Sequence, residues 1–345
     1  MVGDEGFRLG GNMVNIAIVG YGFIGAIHAA TLQKVEGARL VAVVEKDRNK
    51  WQTVTKGNLE VGGVEPLDVP FYETIEEMLK DQKVDCLSIC LPTYLHRSFC
   101  EKVFELDLHT VCEKPMALTV EDCDAMIAGA QAHGKQLFIA QCIRFWPEYH
   151  ILKRIHDSGD LGTPKSFHFQ RLSGMPSWGG PESWFLQSEK SGGCLFDLHV
   201  HDIDFAHYLL GHPQAVHTRG LNLESGTNAA VISQYHYDNV MCTIEGSWLS
   251  HFGFKMKYSA VYENGQLEYD SSLSPTLKLW RNGQSDPEVI EVPQTDGYVE
   301  QYTYFVECLE QDKKPERVSP ESVRYSIELA LKERESIQLG RVVRL

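Results

Sequence analysis

Residues 14–25 read VNIAIVGYGFIG, and the fold turns on them. Of the six residues from Val14 to Val19, only Asn15 is polar. β-Branched types dominate and glycine follows at once, so a short buried strand is predicted. It runs into Gly20-Tyr21-Gly22-Phe23-Ile24-Gly25, and residues 24–35 then have helical composition. Strand, G-x-G-x-x-G and helix in that order form a dinucleotide fingerprint. The first glycine permits the tight turn, the second lets backbone approach a pyrophosphate, and the third lets helix pack on strand. The positive end of the helix then faces the phosphates. Glu45 closes a second strand (residues 38–45) twenty residues past Gly25, where an acid accepts hydrogen bonds from a ribose 2′-hydroxyl.

Outward from this motif, strand and helix patterns alternate to about Gln141. Strands are predicted at 70–72, 85–91, 109–112 and 136–141. Thr74 with Glu77 makes a capping box for a helix to about Asp81. Thr119, followed by Glu121 and Asp122, opens another helix to His133. Repeated units of this kind imply an α/β fold with a doubly wound parallel sheet, a Rossmann domain over residues 14–142. Its ligands lie beyond the carboxyl ends of the strands, near Pro92, Thr93, Glu113, Lys114 and residues 141–144. Residues 1–13 are read as a disordered extension.

Beyond Pro147 the pattern changes. A helix at 148–156, a strand at 165–172, a Gly/Pro/Ser/Trp-rich loop at 173–193 and a helix at 196–210 precede a long run of strands from 215 to 292. Turn signals stand at Asp238-Asn239, Asn264-Gly265 and Asn282-Gly283. Helices return at 298–311 and 319–339, the latter with Pro320 in its first turn. Residues 143–345 therefore read as an α+β domain with an open, mostly antiparallel sheet that binds substrate and supports association.

The 345 residues carry 32 basic and 47 acidic side chains, a net charge of −15, with no basic stripe. Such a chain repels a phosphate backbone, so nucleic acid is excluded as a partner. The nine cysteines show no C-x-x-C spacing and several sit in apolar runs. They read as small core hydrophobes of a reducing, cytoplasmic environment. Residues 16–32 are short for a membrane span, cut by three glycines and interrupted by His28, so no membrane segment is predicted.

Two clusters carry chemistry. Glu113-Lys114-Pro115 follows a strand, and proline just past the lysine fixes the backbone and aims the ammonium into the crevice. A partly buried lysine there binds a substrate hydroxyl and holds down the pKa of a neighbouring base. The second cluster runs from Gly192-Gly193 to Asp204. On a helix, Asp197, His201 and Asp204 share a face, with Phe196, Val200 and Ile203 as the apolar stripe beside it. His201 is then the proton acceptor. A metal site from His199, His201, Asp202 and Asp204 fails, because residues two apart on a helix diverge by roughly 200°. No metal is predicted, and His199, like His28, His156 and His168, reads as a packed or surface group.

With these residues in place, the chain from Val14 to Ser336 resembles the glucose–fructose oxidoreductase/inositol dehydrogenase family (Gfo/Idh/MocA). The resemblance rests on the glycine motif, Pro92-Thr93 with His96, Glu113-Lys114-Pro115, Arg144-Phe145 and Asp197 with His201. It implies catalytic roles for Lys114, Asp197 and His201, and substrate contacts from these three with Arg144 and Trp184. It places the cofactor against Gly20, Gly22, Phe23, Ile24, Gly25, Glu45, Lys46, Leu91, Pro92, Thr93, His96, Glu113 and Lys114. The implied activity is reversible oxidation of a secondary hydroxyl on a sugar or inositol-like polyol, in a homodimer or homotetramer. The cofactor is NAD, with NADP as the alternative: Glu45 repels a 2′-phosphate, while Lys46 and Arg48 lie close enough to bind one. Other readings are an NAD-dependent glycosidase of the same family, a keto-sugar reductase and a non-catalytic dinucleotide-binding regulator. Thr93 stands where the family commonly has asparagine, and His199 where it commonly has a small residue.

Overall fold

The computed structural model describes residues 13–51, 67–176, 180, 183–251 and 253–345. The expected extension lies, Met13 apart, outside the described residues. In the first half, strands β1 (Val14–Val19), β2 (Ala38–Val44), β3 (Phe71–Tyr72), β4 (Cys86–Ile89), β5 (His109–Cys112) and β6 (Leu137–Ile139) form one sheet. All its pairings are parallel and the order is β3-β2-β1-β4-β5-β6, so the chain reverses direction of travel between β1 and β4. Helices α1 (Phe23–Leu32), α2 (Ile75–Asp81), α3 (His96–Glu105) and α4 (Val120–Ala132) link the strands. The Thr74 hydroxyl accepts from the Glu77 amide at 3.2 Å, and that of Thr119 from the Asp122 amide at 3.1 Å, so both caps act at their expected positions.

The second half holds α5 (Pro147–Ser158), β7 (Pro164–Leu172), α6 (Ser188–Ser191), a π-helical turn (Leu195–His199) and α7 (Val200–Leu210). Strands β8 (Ala215–Asn222), β9 (Asn228–His236), β10 (Met241–Ser247), β11 (Lys255–Tyr262), β12 (Gly265–Asp270), β13 (Leu277–Arg281) and β14 (Glu288–Val289) follow. Helices α8 (Gly297–Glu310) and α9 (Pro320–Leu339) and strand β15 (Val343–Arg344) end the chain. The nine strands order as β14-β13-β12-β11-β7-β10-β9-β8-β15, antiparallel except for β7 beside β10. Period-two burial gives this sheet an apolar face. Phe167 and Phe169 of β7 point inward, and Phe169 meets Phe205 of α7 edge-on, each buried phenylalanine contributing about 1.5–3 kcal/mol. Ile232 and Met241 stand exposed on the other face.

The last two long helices return to the first sheet. Phe305 of α8 stacks on Phe138 of β6 at 4.7 Å, and Arg324 of α9 pairs with Asp124 of α4 at 2.7 Å. The first half thus shares its core with residues more than 150 positions away. All nine cysteines are buried and unbridged. No helix among the described residues is long and apolar enough to cross a membrane.

Candidate active site

The glycine turn joins β1 to α1, and its three glycines differ in what surrounds them. Gly20 has φ +94°, and a Cβ there would stand 2.6 Å from the Cys90 carbonyl oxygen at the end of β4. A Cβ on Gly25 would lie 2.0 Å from the Gly20 carbonyl oxygen. Gly22, by contrast, would place its Cβ within 4 Å of nothing. Two glycines therefore shape the turn and one leaves open space in front of it. No side chain caps α1 and no acid occupies its first turn, formed by Phe23, Ile24 and Gly25. An uncapped, positive helix end behind an open glycine suits a dinucleotide pyrophosphate.

Glu45, just past β2, is nearly buried. Its Oε2 accepts from the Tyr21 amide and its Oε1 from the Asp47 amide, each at 2.9 Å. A carboxylate has about four acceptor positions, so two remain for a ribose diol. The Lys50 ammonium lies 3.9 Å from Oε2, Lys46 is exposed, and Arg48 is paired with Glu73. Leu91, Pro92 and Thr93 continue β4, with the Leu91 side chain against Gly20. His96 is fully buried, its Nε2 2.8 Å from the Leu91 carbonyl oxygen and its Nδ1 2.9 Å from that of Pro115. It ties the end of β4 to the end of β5. Burial pushes its imidazole below the usual range.

Glu113, Lys114 and Pro115 leave β5 through a cis Lys114–Pro115 peptide. The Lys114 ammonium donates to the Asp197 carbonyl oxygen at 2.8 Å and to its Oδ1 at 3.1 Å. An ammonium has three N–H donors, so one is left over. Asp197 sits in the π-helical turn, which carries it out of the regular α register relative to His201 in the first turn of α7. Burial holds the His201 imidazole well below its ordinary pKa, and the Lys114 and Arg171 charges lower it further. His201 is therefore neutral at neutral pH, and its Nδ1 is buried without a partner among the described residues. A neutral base in the field of a fixed ammonium can take a proton from a hydroxyl that the ammonium polarises.

Not all the expected side chains gather here. Asp204, expected on the face of Asp197 and His201, instead binds Arg144 through both oxygens, at 2.6 and 2.7 Å. Arg144 is 1% exposed and also donates to the Arg317 carbonyl oxygen and the Ser322 hydroxyl, so its guanidinium is committed to the core. Trp184 begins a short 3-10 turn, stacked on Phe185 at 4.0 Å, and α6 just beyond it packs on the turn at Thr93. His199 is buried, 3.0 Å from Glu333 of α9 and 3.2 Å from the Ser233 hydroxyl. Among the described residues no group of His, Cys, Asp and Glu is placed to hold a metal ion.

Sequence reasoning missed Arg171, whose guanidinium binds Asp202 through both oxygens at 2.8 and 2.9 Å and fixes the helix carrying His201. It also missed the partners of His28: Glu113 at 2.9 Å and the Tyr302 hydroxyl at 2.7 Å. A lone histidine in the apolar stretch after the glycine motif was the available signal for His28. Tyr302 lies 274 residues away, and nothing local in sequence announces that contact.

Residues 14–141 match the GFO/IDH/MocA oxidoreductase family, described by its NAD-binding Rossmann fold, and residues 149–268 match a GFO/IDH/MocA C-terminal domain. A 2,7-anhydro-N-acetylneuraminate hydratase of Mediterraneibacter gnavus is 30% identical over 61% of this chain. That match spans only 53%, about half, of the relative's own length. The myo-inositol 2-dehydrogenase of Thermotoga maritima is 24% identical over 96% of this chain and 100% of its own. Among solved structures, an aldose-aldose oxidoreductase from Caulobacter crescentus, complexed with glycerol, superposes with a TM-score of 0.82. It is 23% identical and is covered over 97% of this chain and 100% of its own.

Proposed function

We propose, from the premise that this chain belongs to the GFO/IDH/MocA oxidoreductase family, that it moves a hydride between NAD and the carbon bearing a secondary hydroxyl of a sugar or inositol-like polyol. The observation that carries the reading is the Lys114 ammonium, held on Asp197 with one donor spare, with a neutral His201 in its field. NAD fits the open glycine, the uncapped helix end and the Glu45 carboxylate, and when bound it supplies the hydride acceptor. The chain's own residues do the rest. Lys114 donates its remaining N–H to the substrate oxygen and stabilises negative charge developing there. His201 takes the hydroxyl proton on its imidazole. Asp197 fixes the lysine and balances its charge.

Glu45 favours NAD over NADP, since a 2′-phosphate would approach a nearly buried carboxylate. The exposed Ile232 and Met241 on the outward sheet face support the homodimer or homotetramer reading, which sedimentation tests. Likeness to a hydratase supports a second reading, in which oxidation is transient and NADH never accumulates.

A panel of sugars, inositols and sugar acids, followed by absorbance of reduced nicotinamide, tests the proposal. NADH formation on at least one member is expected. Product release without NADH favours the second reading, and neither outcome with any member removes the enzymatic assignment.

A further inference from the structure

We propose that His28 is a positioning residue for Lys114, acting through Glu113. One buried relay then sets both the helix that faces the dinucleotide and the ammonium that faces the substrate. The proposal rests on the role given to Lys114 above.

His28 lies on α1, three residues after Gly25, and has no exposed surface. It cannot meet solvent, and its ring is met by polar groups on both edges. On one edge Nε2 stands 2.9 Å from Glu113 Oε1, a close ion pair rather than a straight hydrogen bond. The other carboxylate oxygen, Oε2, accepts from the Lys114 amide at 3.0 Å. Glu113 thus uses its two oxygens on the chain, and the second fixes the backbone where the lysine side chain departs for Asp197. On the other edge, Nδ1 lies 2.7 Å from the Tyr302 hydroxyl, 3.2 Å from that of Ser88 and 3.3 Å from the Cys90 sulfur. Tyr302 also reaches Ser88 at 2.7 Å, and its ring meets that of His28 edge-on at 5.2 Å.

The donors and acceptors agree around an imidazolium. Nε2–H faces the Glu113 carboxylate, Nδ1–H donates to the Tyr302 oxygen, and the Tyr302 hydroxyl donates to Ser88. Burial works against charge on the ring, but the Cys90 sulfur and Glu113 outweigh it and carry the imidazole up to about 10. Its neighbours along α1, Ala26, Ile27 and Ala29, are buried and apolar, so an apolar side chain would suit this stretch of the helix equally well. Buried ion pairs add little net stability over such a replacement, and their best-attested use is to hold a register. The register held here joins α1, β4, β5 and α8 at one point.

Two substitutions separate the edges of the ring. A Gln side chain carries its amide nitrogen to about the reach of Nε2, whereas an Asn amide stops near Nδ1. His28→Gln therefore keeps a donor for Glu113, and His28→Asn loses it. The experiment uses the full chain, labels its lysines competitively with acetic anhydride and reads Lys114 by peptide mass, with exposed Lys165 as internal reference. Thermal melts report folding. Acetylation of Lys114 is expected to rise about fivefold in H28N, where Glu113 loses its buried partner, and to stay within about twofold of wild type in H28Q. Equal labelling of Lys114 in H28N and wild type overturns the proposal, as does H28Q labelling as fast as H28N.

Should H28N not fold, His28→Leu takes its place. It keeps an apolar side chain of similar bulk but leaves Glu113 without its partner, and is expected to raise Lys114 labelling above that of H28Q, and the reverse order overturns the proposal. Neither readout needs a substrate. A wild-type protein that forms neither NADH nor released product with any sugar would remove the enzymatic reading and leave the labelling result to be judged by itself.

Discussion

Exchanging Gly22 and Gly25 for alanine, one at a time, separates the glycine that serves the cofactor from the one that serves the fold. At Gly22 the backbone has φ −83°, which any L-residue adopts, and the new methyl meets nothing within 4 Å. Alanine at a helix N-cap costs up to about 1 kcal/mol against glycine, and the stiffer unfolded chain returns about 0.4–1 kcal/mol. The net is near zero, and the melting temperature of Gly22→Ala should stay within about 2 °C of wild type. The methyl does occupy the space through which a pyrophosphate reaches the helix end. A misfit of about 1–3 kcal/mol weakens NADH by roughly 5–150-fold.

Gly25→Ala inverts this pattern. Its methyl would sit 2.0 Å from the Gly20 carbonyl oxygen, well inside contact distance, so helix and turn must separate. The cost falls at or above about 3 kcal/mol, and the melt should drop by about 6 °C or more. NADH titration by fluorescence and thermal melts of the three proteins suffice. Gly22→Ala binding NADH as tightly as wild type, or melting as low as Gly25→Ala, refutes the reasoning.

Further outcomes follow from the rest of the site. His201→Ala should lower kcat by about 10²–10⁴-fold while leaving NAD affinity within twofold of wild type. Because the His201 pKa is depressed, its base form persists as pH falls, and the acid limb of kcat/KM for oxidation should lie below the ordinary imidazole range near pH ~6.5. Asp204→Ala strands a fully buried Arg144 and should destabilise by about 3–5 kcal/mol in urea unfolding, since a buried cation loses its partner. His28 gives the opposite pH dependence to a paired carboxylate. Its folded pKa lies above its unfolded one, so the stability it contributes is whole below pH ~6.5 and is lost as pH rises through about 10. Urea titrations should show a flatter alkaline limb in H28N than in wild type.

How much was legible in sequence depended on how local each cause was. β1 and β5 fall at their expected limits because a burst of β-branched residues is bounded by glycine or proline signals. The caps at Thr74 and Thr119 each need only three residues, and each acts where the sequence placed it. Helix α3 was not resolved from its pattern: it starts at His96, which faces two carbonyls rather than solvent, and no capping side chain precedes it. The π-helical turn was also invisible, since one extra residue per turn leaves composition unchanged, and it gives Asp197 to Lys114 while Asp204 goes to Arg144. Arg144 shows the limit of motif position: a residue expected at substrate is held in the core by partners 60 and 178 positions away. What distance in the chain hides, the sheet order and the returning α8 and α9 supply.

A structure of the complex with NADH and a polyol that the protein oxidises bears most directly on the central claim. The reacting hydroxyl oxygen is expected within about 2.6–3.2 Å of both the Lys114 Nζ and a ring nitrogen of His201, next to the nicotinamide. A polyol whose hydroxyls reach neither group, or a nicotinamide ring turned away from both, would contradict it.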